Sequence, residues 1–221
     1  MYNCILFDMD GTLVDSYPGI SRAYQAAFEK MGRAWQGNSF VRRAIGAPLP
    51  FVFRELCSMG EADTLQAVFY YRAYYEEKGR HELGVYPGME ETLRRLKGTG
   101  RFLGTATLKK EKFAKEILEE QGLLCYFDAV CGMDEGDRFT KSDLIRRCME
   151  QAKAEPRETI LVGDSEFDAQ GAKQAGVEFL AVTYGFGFQD KESWGKRGIH
   201  NVAESPSDIW AKLEEVPVPQ K

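Results

Sequence analysis

Histidine is nearly missing. His81 and His200 are the only two among 221 residues, and neither stands in a pattern with other ligands or nucleophiles. Both read as surface residues, and their scarcity removes Ser-His-Asp triads and multi-histidine metal sites from consideration. The five cysteines, Cys4, Cys57, Cys125, Cys131 and Cys148, form no CxxC pair and leave an odd number. That argues against a disulfide framework or a zinc site. Cys4 and Cys131 lie inside the apolar runs CILF and AVCG, where cysteine behaves as a small hydrophobe. No stretch approaches the roughly 20 apolar residues of a membrane helix. The opening MYNCILFDMDG has no basic segment and only a short apolar run, so no secretory signal is expected. An excess of positive charge is also absent. The 29 Lys and Arg face 34 Asp and Glu, a formal −5, which argues against a nucleic-acid-binding surface. The expectation is a reduced, soluble, cytoplasmic protein with neither a membrane nor a nucleic acid as partner.

Familiar ligand loops are missing as well. There is no GxxxxGK[ST] phosphate loop and no GxSxG elbow, and YGFGFQD lacks the third glycine of a dinucleotide fingerprint.

What is present is a recurring apolar, partly β-branched run: YNCILF (2–7), RFLGTAT (101–107), FDAVCG (127–132), TILVGD (159–164) and FLAVTYG (179–185). Helical patterns near 110–121, 141–153 and 166–175 separate the last four. Strands alternating with helices predict an α/β fold, a parallel, Rossmann-like sheet covered by helices on both faces. The alternation fails between the first two runs. Residues 16–85 read as helical throughout, without a strand signal; Ile20, Tyr24, Ala27, Phe28 and Met31 share one helical face, and FVFREL (51–56) and ADTLQAVFYYRAYYEEKG (62–79) continue the pattern. The division expected is a core of residues 1–15 and 86–221 with a helical lobe of residues 16–85 inserted after the first strand. The return to the core is marked by Tyr86, Pro87 and Gly88, ahead of an amphipathic helix over 90–97. The tail VPVPQK (216–221) is expected to be extended. Tyr24, Tyr70, Tyr71, Tyr74 and Tyr75 could line a pocket, but their spacing favours packing between helices.

In a parallel α/β sheet, ligands bind beyond the carboxyl ends of the strands. Asp8 follows ILF, Thr107 ends FLGTAT, and Asp164 follows ILVG. Within DMDGTLVDS, Asp8 and Asp10 begin on the same side of an extended segment, and Gly11 permits a sharp exit from the strand. An Asx-type turn explains one aspartate, not two adjacent ones in mutual repulsion. In VGDSEFDAQGAK, Asp164 and Asp168 are four apart at a strand-to-helix transition, where they share a face if the helix begins nearby. An N-cap with a first-turn acid is the plainer reading of each alone. Four carboxylates at one sheet edge ask for a hard cation with oxygen ligands, Mg²⁺. Ionised Asp8, Asp164 and Asp168 carry −3, which Mg²⁺ and one lysine balance. The lysine best placed is Lys141, at the start of KSDLIRRCMEQAK, although it reads equally well as a solvated residue at a helix start.

Taken together these residues resemble the haloacid dehalogenase superfamily, and within it the phosphatases with a helical cap after the first motif. DMDGTLVDS resembles the first motif, Thr107 the second, Lys141 the third and GDSEFD the fourth; IGAPL (45–49) and YPG (86–88) resemble the phosphoglycolate phosphatase-like branch. The resemblance implies Asp8 as the nucleophile that forms an aspartyl-phosphate and Asp10 as general acid and base. It implies Mg²⁺ held by Asp8, the backbone carbonyl of Asp10, and Asp164, with Asp168 in support. Thr107 and Lys141 would bind phosphoryl oxygens. The partner implied is a small phosphorylated metabolite. Asp10 argues against a dehalogenase, which lacks the second acid. Lys141 is followed by SDLI rather than by prolines, and this, with YRAYYEEKG and TYGFG, is closer to a nucleotidase-like branch. A nucleoside 5'-monophosphate phosphatase is therefore the second reading, ahead of a phosphomutase and of a binding module without turnover. Arg42, Arg43 and Arg54 are the arginines considered for a second substrate anion, each read first as a surface residue.

Overall fold

The computed structural model of the chain describes residues 2–214. β1 (Cys4–Phe7) leads through a turn to β2 (Val14–Asp15), and the helical segment follows: α1 (Tyr17–Lys30), α2 (Asn38–Ala44), α3 (Leu49–Phe51) running into a π-helical turn (Val52–Leu56), and α4 (Glu61–Glu77). β3 (Gly84–Val85) closes it. Then come α5 (Met89–Gly98), β4 (Phe102–Lys110), α6 (Glu111–Glu120), β5 (Ala129–Met133), α7 (Lys141–Ala152), β6 (Thr159–Gly163), α8 (Glu166–Ala175), β7 (Glu178–Val182), α9 (Lys191–Gly195), β8 (Val202–Ala203) and α10 (Pro206–Glu214).

Six of these strands form one sheet in the order β5-β4-β1-β6-β7-β8, and every pairing in it is parallel. All four residues of β1 and all five of β6 are buried, as a doubly covered sheet requires, which is why ILF and ILV are continuous rather than alternating. Successive side chains still point to opposite faces. Ile5, Phe7, Ile160 and Val162 pack with α5, α6 and α10, whereas Cys4, Leu6 and Leu161 pack with α7 and α8. From β1 the chain builds outward to β4 and β5, then crosses to β6 and builds the other way. The order therefore reverses between β1 and β6, and a crevice opens beyond their carboxyl ends.

The helices of residues 17–77 pack around a separate cluster in which Tyr24, Phe28, Phe40, Phe53 and Tyr71 are buried, joined by Phe186 from beyond β7. α1 presents Ile20, Tyr24, Ala27 and Phe28 to it at helical spacing. Residues 16–85 are not helical throughout, however. Gly84–Val85 pairs antiparallel with Val14–Asp15, a two-residue ribbon at the root of the insert, too short to leave a period-2 pattern. β8, α9 and α10 are further elements beyond the five apolar runs and the helical patterns between them. The tail over 216–221 lies outside the described residues.

Candidate active site

Asp8 directly follows β1 and is buried; its backbone N–H donates to Val162 O of β6. Gly11 turns the chain away with φ +84, and a side chain there would collide with the Asp164 carboxylate. The turn thus requires glycine for both conformation and room. Asp10 is held on both oxygens. Ser16 Oγ donates to Oδ1 at 2.5 Å, and Lys109 Nζ lies 3.1 Å from Oδ2.

Lys141 opens α7 behind an N-cap, Thr140, that forms a capping box with Asp143. It is not a solvated helix-start residue. Its Nζ lies 2.6 Å from Asp8 Oδ1 and 2.6 Å from Asp168 Oδ1, with 6% of the side chain exposed. Its stem passes close over α8, where a Cβ on Gly171 would come within 2.5 Å of Lys141 Cγ. Asp164 and Asp168 converge, though not as a helical pair four apart: α8 starts only at Glu166, so Asp164 precedes the N-cap Ser165. Asp168 accepts from both the N–H and the hydroxyl of Ser165 through Oδ2 and meets Lys141 through Oδ1, so it caps α8 and also faces Lys141. Asp164 Oδ2 accepts the backbone N–H groups of Phe186 and Gly187 at 2.6 and 3.2 Å. Thr107 is buried where the β4–β5 register breaks between Ala106 and Lys110, and its Oγ1 accepts the N–H of Lys109.

Burial dominates the electrostatics. It pushes Asp8 up to about 7, against the opposing pull of Lys141, and Asp168 and Asp10 add to the rise. Asp164 is raised well above the usual carboxylate range by burial, then by Asp168 and Asp8. Burial acts against the charge of Lys141, but Asp168 and Asp8 outweigh it and leave the ammonium held above its ordinary value. One oxygen each of Asp8, Asp164 and Asp168 can be chosen within 4.8 Å of one another. Buried, mutually repelling carboxylates with hard oxygen donors fit a divalent cation such as Mg²⁺.

A cavity of about 630 Å³ lies between this sheet edge and the helical insert; Asp8, Asp10, Thr107, Lys141 and Asp168 line it from below. Asp164 is not among the lining residues. Tyr24, Tyr71 and Tyr75 line it from above while also packing in the insert's core, so the packing and pocket readings are both met. Tyr70 and Tyr74 only flank that core. None of Arg42, Arg43 and Arg54 lines the cavity. Arg42 stacks on the Tyr17 ring and Arg54 pairs with Glu55 on the surface. The basic residues that do line it are Arg72, Lys109, Lys110, Lys112 and Lys141. Lys109 has no local signature, because ATLKK offers two adjacent lysines that both reach the cavity, and only the register break in β4 decides which of them meets Asp10.

Beyond the central strand of this parallel sheet stand Asp8, reached by the buried Lys141, and Asp10, reached by Lys109. Residues 5–182 match the haloacid dehalogenase-like hydrolase model, and the chain belongs to that family. It is 35% identical over 191 residues to a 5'-nucleotidase of Pseudomonas aeruginosa, an alignment spanning 86% of each chain. It is 34% identical over 192 residues to phosphoglycolate phosphatase 1 of the same organism, covering 82% of this chain and 70% of the other. The crystal structure of a predicted phosphatase from Clostridium acetobutylicum superposes with a TM-score of 0.92 at 35% identity, covering 98% of this chain and all of that one.

Proposed function

We propose that the protein is a Mg²⁺-dependent phosphatase that hydrolyses a small phosphomonoester through an aspartyl-phosphate on Asp8. One observation carries this reading: Asp8 faces the cavity with one oxygen 2.6 Å from Lys141 Nζ, and Asp10 stands two residues on. Lys141 orients Asp8 and offsets repulsion between its carboxylate and the incoming phosphoryl group, while Thr107 supplies a hydroxyl to a phosphoryl oxygen. An Asp8 oxygen forms a bond to phosphorus as the ester P–O bond breaks. The electron pair stays on the leaving oxygen, which takes a proton from Asp10. Asp10 then takes a proton from water as the water oxygen bonds phosphorus and the Asp8–phosphorus bond breaks, releasing phosphate. Asp8, Asp164 and the backbone carbonyl of Asp10 would hold Mg²⁺, with Asp168 in support through Lys141. The ion would supply charge stabilisation for the transferring oxygens. The insert formed by residues 16–85 acts as a cap over the reaction.

A second reading, a nucleoside 5'-monophosphate as substrate, is favoured by the cavity. At about 630 Å³ it falls in the range of about 300–1,000 Å³ that holds drug-sized ligands, and Tyr24, Tyr71, Phe113 and Phe139 among its lining offer stacking surfaces.

The test is hydrolysis of 4-nitrophenyl phosphate with Mg²⁺. Asp8→Asn and complete chelation of the metal should each stop it, the latter reversibly. Turnover by a correctly folded Asp8→Asn protein at the unmodified rate rejects the mechanism. Parallel assays of phosphoglycolate, sugar phosphates and nucleoside monophosphates separate the two substrate readings.

A further inference from the structure

Lys109 stands where the sheet edge, Asp10 and the helical insert meet, and no step above uses it. Its side chain is 6% exposed. An ammonium so enclosed is costly unless its partners are good. Burial opposes its charge, but Asp10 and the Tyr75 hydroxyl outweigh it and hold the ammonium above its ordinary value. Nζ lies 3.1 Å from Asp10 Oδ2, donates to the Tyr75 hydroxyl, and sits 4.4 Å from the centroid of the Tyr75 ring. Tyr75 is fixed in turn. Its ring stacks on Tyr71 at 6.0 Å and 9°, within α4, and meets Phe113 of α6 at 6.4 Å. On the other side of Asp10, Ser16 holds Oδ1. Both carboxyl oxygens are thereby tied, one to the root of the insert and one, through Lys109, to its last long helix. A carboxylate has about four lone-pair sites, so these two contacts leave an edge of Asp10 for the substrate in the cavity it lines.

We propose that Lys109 is a positioning residue that fixes the carboxyl of Asp10 for proton transfer to the leaving oxygen, with Tyr75 coupling that placement to the seating of α4 against the sheet. The proposal rests on the phosphatase reading above, with Asp10 as the group whose proton moves to the leaving oxygen as the P–O bond breaks. It differs from a phosphate-binding role, which would act equally on every ester.

The experiment compares two aryl esters on the full chain with Mg²⁺. 4-Nitrophenyl phosphate releases a phenolate that leaves without a proton; phenyl phosphate, of nearly the same shape, releases one that needs it. Lys109→Met should lower kcat/KM, which reports the step that expels the leaving group, at least about tenfold more for phenyl phosphate than for 4-nitrophenyl phosphate, a fraction of what general acid catalysis contributes. Tyr75→Phe, which keeps the ring and its stack on Tyr71, should move the ratio the same way by less. It carries the test if Lys109→Met does not fold. Lys109→Arg should recover part of the lost ratio. In an Asp10→Asn background Lys109→Met should leave the ratio unchanged. Equal losses of kcat/KM on both esters, as a phosphate-binding role would give, or no change in either overturns the assignment. If the unmodified protein hydrolyses neither ester, the phosphatase reading itself fails, which is a distinct result.

Discussion

Lys141 Nζ stands 2.6 Å from Asp8 Oδ1 although 133 positions separate the two residues, and both side chains are more than nine-tenths buried. The same ammonium contacts Asp168. Removing it strands two carboxylates in the interior, where breaking a buried ion pair from one side costs about 3–5 kcal/mol. Lys141→Met should therefore unfold at a clearly lower urea concentration than the unmodified protein when both are compared without metal, and should lose hydrolysis. Added Mg²⁺ should narrow the stability gap by supplying the missing positive charge. Equal urea midpoints for the two proteins would show that the pair contributes nothing.

Gly187 lies so close to Asp164 that a Cβ would collide with its backbone carbonyl, and its N–H is one of two that hold Asp164 Oδ2. Gly187→Ala should displace that loop and loosen Asp164. Disturbing the groups that orient a metal ligand typically costs 10–100-fold in affinity, so with Asp164 a ligand of the proposed Mg²⁺ site the half-saturating Mg²⁺ concentration should rise by about that factor. Gly98→Ala, at the end of α5 where a Cβ meets nothing within 4 Å, should leave it unchanged.

The thiols offer a check on burial. Cys125 is exposed and Cys4, Cys57, Cys131 and Cys148 are buried. Burial pushes the Cys4 thiol up to about 11, so it stays protonated and unreactive at pH 8, where thiolate is the attacking form. Titration of the native protein with a disulfide reagent at pH 8 should consume one thiol rapidly, at Cys125, and all five only after denaturation. Rapid modification of Cys4 would contradict its placement in β1.

Phe28 is 1% exposed and packs edge-on against Trp35 and Phe40 in the core of the insert. Phe28→Ala should cost about 3–5 kcal/mol, the usual range for emptying an aromatic core position. Chemical denaturation measures it. A loss below 1 kcal/mol would mean that the insert's core collapses around the gap.

Much of this was written in short stretches of sequence. α8 begins at Glu166 and ends at Ala175, as the pattern over 166–175 predicted, because Ser165 and Asp168 form a capping box and Gly176 adopts the left-handed turn that closes the helix. Asp8, Asp10 and Thr107 reach one cavity because each lies at or just beyond a strand whose direction the apolar runs already gave, and Lys141 joins them from the first turn of the helix after β5. The ribbon of β2 and β3 was invisible, since two residues carry no period. Lys109 and Arg72 were illegible for a different reason. Which lysine of Lys109 and Lys110 meets Asp10 depends on a register break in β4, and which arginine of the insert faces the cavity depends on how the insert sits on the sheet. Arg72 reaches across that junction to Asp137, which Lys110 also engages from the core side, a tertiary fact with no local signature.

Whether phosphorus becomes bonded to Asp8 is open to direct observation. The protein is mixed with excess 4-nitrophenyl phosphate and Mg²⁺, quenched in acid during turnover, reduced with borohydride and digested. An acyl phosphate on Asp8 is reduced to the corresponding alcohol, so peptide mass spectrometry should find homoserine at position 8 and unmodified aspartate at positions 10, 164 and 168. Steady hydrolysis with no modification at position 8, or with the mark on another carboxylate, would contradict the account.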